Sequence, residues 1–276
     1  MLIALQNIKN DFIFFKVPEI FLLNHFRLLY MGIHLKVYCQ NFEDSAYHGR
    51  SDKLIVYHGF ADSFVYELPD YFEYLSDIER SRAERFKHVS DYNCYVAVHA
   101  LLRIELSKLI GIKAKLVKIT ATETGKPLIP DCDLTFSLSR TKNMFAFVIG
   151  KNDQILGIDI EQIKPEIDFE NIAINYFSTE EQLSIFSSKN TEDQKRTFFE
   201  IWTRKEALLK ALGVGLNIDL VKVRVLEGEN VLDLLGMQNN YHSFKIDTVR
   251  KKEAIISIAS STDFVPHFIN LSYVLS

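Results

Sequence analysis

Cysteine is scarce in this chain. Cys39, Cys94 and Cys132 are the only three, and they lie far apart. None sits in a CxxC or Cys/His spacing that would suit zinc, and no disulfide framework can be drawn. A reducing compartment, the cytoplasm, is the expectation. A basic surplus is also missing. Lys and Arg number 32 against 36 Asp and Glu, a formal net charge of −4, so the molecule has no overall footprint for nucleic acid. Long apolar runs are lacking too. Residues 1–30 are rich in Leu, Ile and Phe, but Lys9, Asp11, Lys16 and Glu19 interrupt them. They make no membrane span, and they lack the basic start, clean apolar centre and cleavage site of a signal peptide. We expect no membrane partner and read residues 1–30 as an N-terminal extension, with a more ordinary stretch opening at Met31. Short-period repeats and low-complexity tracts are absent.

What remains is the balance of a soluble folded protein, 47 % apolar and 25 % charged over 276 residues. That length suits one large domain or two ordinary ones. Short strands are predicted at 33–38 and 53–57. Ser76-Asp77-Ile78-Glu79 fits a capping box opening a helix to about His88. Ser90 is the expected cap of a second helix through Leu109, with Gly111 past its end. Strands are expected at 116–120 and 134–138, with Gly125-Lys126-Pro127 as a turn between them. The runs 144–149 and 155–160 read as a hairpin. The order then restarts: a capping box at Ser178-Thr179-Glu180-Glu181, a long helix over about 193–212 with Gly213 as its stop, and strands at 221–226, 242–247 and 254–259. The fold class is α+β, as two similar subdomains, 31–152 and 153–276.

Three pieces of sequence carry possible chemistry. In Gly157-Ile158-Asp159-Ile160-Glu161, strand alternation puts both carboxylates on one face. An oxygen-only pair suits a hard cation such as Mg²⁺, although an acidic strand edge would look the same. In the segment from Phe198 to Lys210, Trp202, Glu206 and Lys210 fall four apart on one helical stripe, with Ile201, Leu208 and Leu212 toward a core. An ordinary helix salt bridge between Glu206 and Lys210, worth about 0.3–0.5 kcal/mol, explains that spacing equally well. Upstream, Lys126 beside its turn and Ser139-Arg140 at a strand end could grip an anion, or be solvated loop charges.

Taken in order, these pieces resemble the signature of the surfactin-type, two-domain 4′-phosphopantetheinyl transferases. The shared features are Gly-Ile-Asp-Ile-Glu, a Phe-Ser-x-x-Glu segment, then Trp-x-x-Lys-Glu-Ala-x-x-Lys. The Gly-Lys-Pro turn, Phe-Ser-Leu-Ser, Arg85-Phe86 and Arg103 match as well, and the similarity runs over about residues 77–226. The resemblance implies two α+β halves in a pseudo-dimer with the active site in the cleft between them. It implies Mg²⁺-dependent transfer of the phosphopantetheine arm from coenzyme A to a serine of an apo acyl or peptidyl carrier protein, releasing adenosine 3′,5′-bisphosphate. By position, Asp159, Glu161 and Glu206 match the metal ligands. Glu206 and Lys210 match the catalytic pair. Lys126, Pro127, Ser139, Arg140 and Arg85 match the coenzyme-binding residues. A monomer is expected.

The chain departs from the pattern twice. Arg140 stands where histidine is usual, which keeps a cationic donor but removes any proton-transfer task. Cys94 stands where relatives often carry arginine, so that contact is expected to be either missing or supplied from elsewhere, for example by Lys87 or His88. Two other readings use the same residues: a magnesium-dependent nucleotide pyrophosphohydrolase, and a non-catalytic carrier-protein binder.

Overall fold

The computed structural model describes residues 53–151, 153–164, 166–215, 218–226 and 244–271. The expected extension at 1–30 and the strand expected at 33–38 lie outside them. The described chain folds as β1 (Lys53–Phe60), α1 (Leu68–Tyr74), α2 (Asp77–Ala83), α3 (Val89–Ile110), β2 (Thr120–Ala121), β3 (Pro127–Leu128), β4 (Leu134–Thr141), β5 (Met144–Lys151) and β6 (Leu156–Gln162). It continues as α4 (Phe169–Tyr176), α5 (Thr179–Phe186), α6 (Thr191–Leu212), β7 (Lys245–Arg250), β8 (Ala254–Ser260) and β9 (Val265–Asn270). It is an α+β fold.

Two sheets form the centre, one in the order β4-β5-β1-β9 and the other β6-β8-β7. They pack face to face. Leu54, Val56, Met144, Ala146 and Val148 of the first meet Leu156, Ile158, Ile160, Ala254, Ile256 and Ile258 of the second. The alternate residues of the same strands point outward. Ile55, Tyr57, Phe145, Phe147 and Ile149 pack on α3, and Ile255 and Ala259 join the cluster built on α6. β5 and β8 are buried on both faces, which is why they read as unbroken apolar runs.

The expected restart is visible in detail. Ser76 and Ser178 both close capping boxes, with Glu79 and Glu181. Gly111 and Gly213 both end 22-residue helices at positive φ, 79° and 70°. Each of these pairs is offset by 102 positions. The same offset relates Arg103 to Lys205. Arg103 pairs with Glu79 at 2.8 Å and donates to the carbonyls of Ala114 and Val117. Lys205 pairs with Glu181 at 2.7 Å and donates to those of Leu220 and Val223. In each half a buried cation ties a capping box to a short 3₁₀ turn.

Several expectations need correction. The runs at 144–149 and 155–160 are strands, but they belong to different sheets, so they are not a hairpin. The segment between them carries the chain from one sheet to the other. Residues 116–120 and 221–226 are not strands of those lengths. Each begins in or beside a 3₁₀ turn, Ala114–Leu116 and Leu220–Lys222, whose carbonyls the buried cations hold. The helix at Ser76 stops at Ala83, and α3 starts at Val89 with His88, not Ser90, before it. α1, α4 and β9 were not foreseen. β9 returns from the end of the chain to run parallel with β1.

Candidate active site

The site begins with a close approach. A Cβ at Gly157 would lie 2.0 Å from the Ala207 carbonyl oxygen and 2.4 Å from the Ala211 nitrogen. Only glycine lets β6 and α6 come this near, and the approach brings β6's outward side chains against the last turns of α6. Asp159 is 4 % exposed. Its Oδ1 accepts from Lys210 Nζ at 2.7 Å and from the Ser139 hydroxyl at 2.8 Å. Lys210 Nζ also donates to Ser139 Oγ at 2.7 Å. A strand of the first sheet, a strand of the second and a helix thus meet on one carboxylate. Its other oxygen, Oδ2, is buried with no hydrogen-bond partner among the described residues. A buried carboxylate oxygen left this way is costly unless something cationic meets it.

Glu161 sits two residues on, on the same face. Its Oε2 accepts from the Thr141 hydroxyl at 2.8 Å, and Lys164 Nζ lies 3.7 Å away. Burial, with the neighbouring Asp159 charge as a smaller contribution, pushes its carboxyl up to about 7, while Lys164, Thr141 and Lys210 oppose the shift. Glu206, one turn before Lys210 on α6, is 6 % exposed. Trp202, expected on the same stripe, belongs to the core. It stacks on Phe177 and Phe198 at ring distances of 6.3 and 6.1 Å.

The expected metal ligands fit a hard cation in chemistry, being all-oxygen donors with one oxygen unpartnered. Among the described residues, however, no three His, Cys, Asp or Glu side chains gather closely enough to form a ready-made cluster. In this arrangement Lys210 neutralises Asp159.

The coenzyme-binding candidates divide. Ser139 joins the carboxylate site directly. Arg140, the next residue, points to the opposite face of β4, where its guanidinium lies 4.8 Å from the Phe86 ring centre and 5.8 Å from that of Tyr95. Arg85, adjacent to Phe86, is exposed. Lys126 reaches from its turn to the end of α6 and donates to the Ala211 carbonyl at 2.6 Å, a cation at a helix C-terminus. Burial lowers its amine to about 8. Pro127 opens β3, which pairs with β2 across that turn. Cys94 is fully buried, its thiol 3.4 Å from the Met144 carbonyl, so this position faces the core.

Sequence reasoning missed Thr141 and the double role of β4. The signal was there: Ser137, Ser139 and Thr141 alternate with apolar or outward residues, so they share one face. Ser137 Oγ accepts from the Ile158 amide at 3.1 Å. Three successive hydroxyls of the β4 edge therefore meet the β6 edge.

Asp159, Glu161, Glu206 and Lys210 fall within the stretch that comparison with known proteins matches. Residues 155–259 match the family model of the 4′-phosphopantetheinyl transferase superfamily. The chain is 33 % identical over 154 residues to the 4′-phosphopantetheinyl transferase HetI of Nostoc, 54 % of this chain and 64 % of that protein. It is 30 % identical over 151 residues to the 4′-phosphopantetheinyl transferase Sfp of Bacillus subtilis, 54 % of this chain and 65 % of the relative. Against the 4′-phosphopantetheinyl transferase gsp of Aneurinibacillus migulanus it is 32 % identical over 136 residues, 49 % and 55 %. The matched stretch spans just under two thirds of the Nostoc and Bacillus relatives' length.

Proposed function

We propose that this chain, whose residues 155–259 carry the 4′-phosphopantetheinyl transferase superfamily domain, moves the phosphopantetheine arm of coenzyme A onto a serine hydroxyl of an apo acyl or peptidyl carrier protein. The observation that supports this most is Asp159, a buried carboxylate with one oxygen held by Lys210 and Ser139 and the other without a partner among the described residues. Phosphoryl-type transfers depend on positioning and on neutralising oxygen charge, and this site offers both.

Asp159 and Glu161, with Glu206, would hold a magnesium ion, which supplies Lewis acidity toward the pyrophosphate. Lys210 brings a positive charge to the same place and stabilises the departing phosphate oxygen. In the step itself, the carrier serine oxygen bonds to the pantetheine-side phosphorus. The pyrophosphate P–O bond breaks, and adenosine 3′,5′-bisphosphate leaves. Glu206 accepts the serine proton. Lys126 and Arg140 are the cations we assign to the coenzyme's phosphates, which would draw Lys126 away from the Ala211 carbonyl. The protein works as a monomer in the cytoplasm.

The competing hydrolytic reading uses water in place of the carrier serine. Chromatography of the nucleotide product separates the two. Bisphosphate release from coenzyme A only when apo carrier protein is present supports the transferase; equal release without carrier overturns it.

A further inference from the structure

The reading of Asp159 and Glu161 as the divalent-ion carboxylates leaves unexplained what holds Glu161 in place. Asp159 is fixed on two sides, by Lys210 and Ser139. Glu161 stands at the outer end of β6, 19 % exposed, and a glutamate has one more rotatable bond to restrain. Its Lys164 neighbour is at 3.7 Å and itself 39 % exposed, so that pair holds weakly. The close contact is Thr141, buried, with its hydroxyl 2.8 Å from Oε2. Threonine is branched at Cβ and has few rotamers. Thr141 is also the last residue of β4, paired across the ladder with Met144, so its backbone is fixed as well.

We propose that Thr141 is a positioning residue that presents Glu161 to the divalent ion. Its hydroxyl donates to one carboxylate oxygen, fixes the rotamer, and leaves the remaining lone pairs for the ion. Ser137 and Ser139 do parallel work along the same edge, on the Ile158 amide and on Asp159. Partners that orient ligands in this way commonly carry about 10-fold or more of metal affinity.

Electron paramagnetic resonance with Mn²⁺ as the probe, on the full chain without coenzyme or carrier, measures this apart from turnover. Thr141→Val keeps the volume and removes the donor. It should bind Mn²⁺ about 10-fold more weakly with a thermal midpoint lowered by no more than one lost hydrogen bond accounts for, while Thr141→Ser retains wild-type affinity. Where the valine variant does not fold, Thr141→Ala takes its place. Equal affinity in the wild type and the hydroxyl-free variant overturns the proposal. So does weakening in the serine variant equal to that in the valine variant, which would show that retaining the hydroxyl does not preserve the site. A wild-type chain that binds no Mn²⁺ overturns it by removing the metal reading beneath it, an outcome distinguishable because all variants then behave alike.

Discussion

Where β6 of the second half carries Asp159 and Glu161, β1 of the first half carries Tyr57 and Gly59, 102 positions earlier. The helices that cover them match residue for residue in length, yet Glu206 faces Ile104 in this comparison and Lys210 faces Lys108. The first half therefore keeps the cation and loses the carboxylates. Tyr57 donates instead to Glu105 at 3.2 Å, and Glu105 takes the Lys108 charge at 2.6 Å. The edges differ too. β1 is covered by β9, with the Leu271 carbonyl oxygen 2.5 Å from where a Cβ on Gly59 would sit, whereas β6 meets the hydroxyls of β4. The halves share a frame of capping boxes, buried cations and glycine stops. Side chains at three or four positions, and what covers one strand edge, distinguish the half that carries the candidate site.

The comparison can be broken first at the shared frame. Lys205→Ala leaves Glu181, 0 % exposed, without its ion pair, and should cost about 3–5 kcal/mol in urea unfolding. Arg103→Ala should cost less, because Glu79 is 12 % exposed, while both glutamates keep their capping-box donors. Equal losses would mean that burial does not separate the two pairs.

At the point of difference, Asp159→Asn should lower transfer by about 100-fold or more in protein that still folds, its thermal midpoint reduced by the weakened pairing with Lys210. Near-normal turnover would remove Asp159 from the site. The counterpart change on β1, Tyr57→Phe, is the smallest. It should cost about 1 kcal/mol, one hydrogen bond, and leave turnover unaltered.

Between these in size lies acid sensitivity. His99 of α3, whose counterpart is Ile201, is stacked on Tyr95 with Nδ1 2.8 Å from the Tyr95 carbonyl oxygen. Burial lowers its pKa from 6.5 to about 4, against the pull of Glu79. The unfolded chain thus takes up the proton first, so this group's contribution is full above about 6.5 and lost as pH falls toward about 4. Urea midpoints should drop more steeply across that window in the wild type than in His99→Gln; parallel curves would contradict this.

The features legible in the sequence were those with local causes. Ser76 and Ser178 announce their helices because a capping box needs only four residues, and Gly111 and Gly213 announce the ends because positive φ favours glycine. Asp159 and Glu161 share a face through simple alternation. What escaped depends on distant contacts. Nothing around residue 150 says that the chain changes sheets, since a polar turn serves a hairpin and a crossover alike. The 3₁₀ turns at 114–116 and 220–222 exist to meet Arg103 and Lys205, which lie on other elements. Trp202 shares a helical stripe with Glu206 and Lys210 yet belongs to the core, because Phe177, in the link between α4 and α5, packs on it together with Phe198 of its own helix. Thr141 gains its role only when β4 and β6 are brought edge to edge.

The central claim is transfer of the arm. It is tested most directly by mass spectrometry of an apo carrier protein incubated with this protein, coenzyme A and Mg²⁺. The account predicts a gain of about 340 Da on the carrier, the mass of the phosphopantetheine arm, lost when the carrier's serine is replaced by alanine. An unchanged carrier mass, with coenzyme A consumed or not, would contradict it.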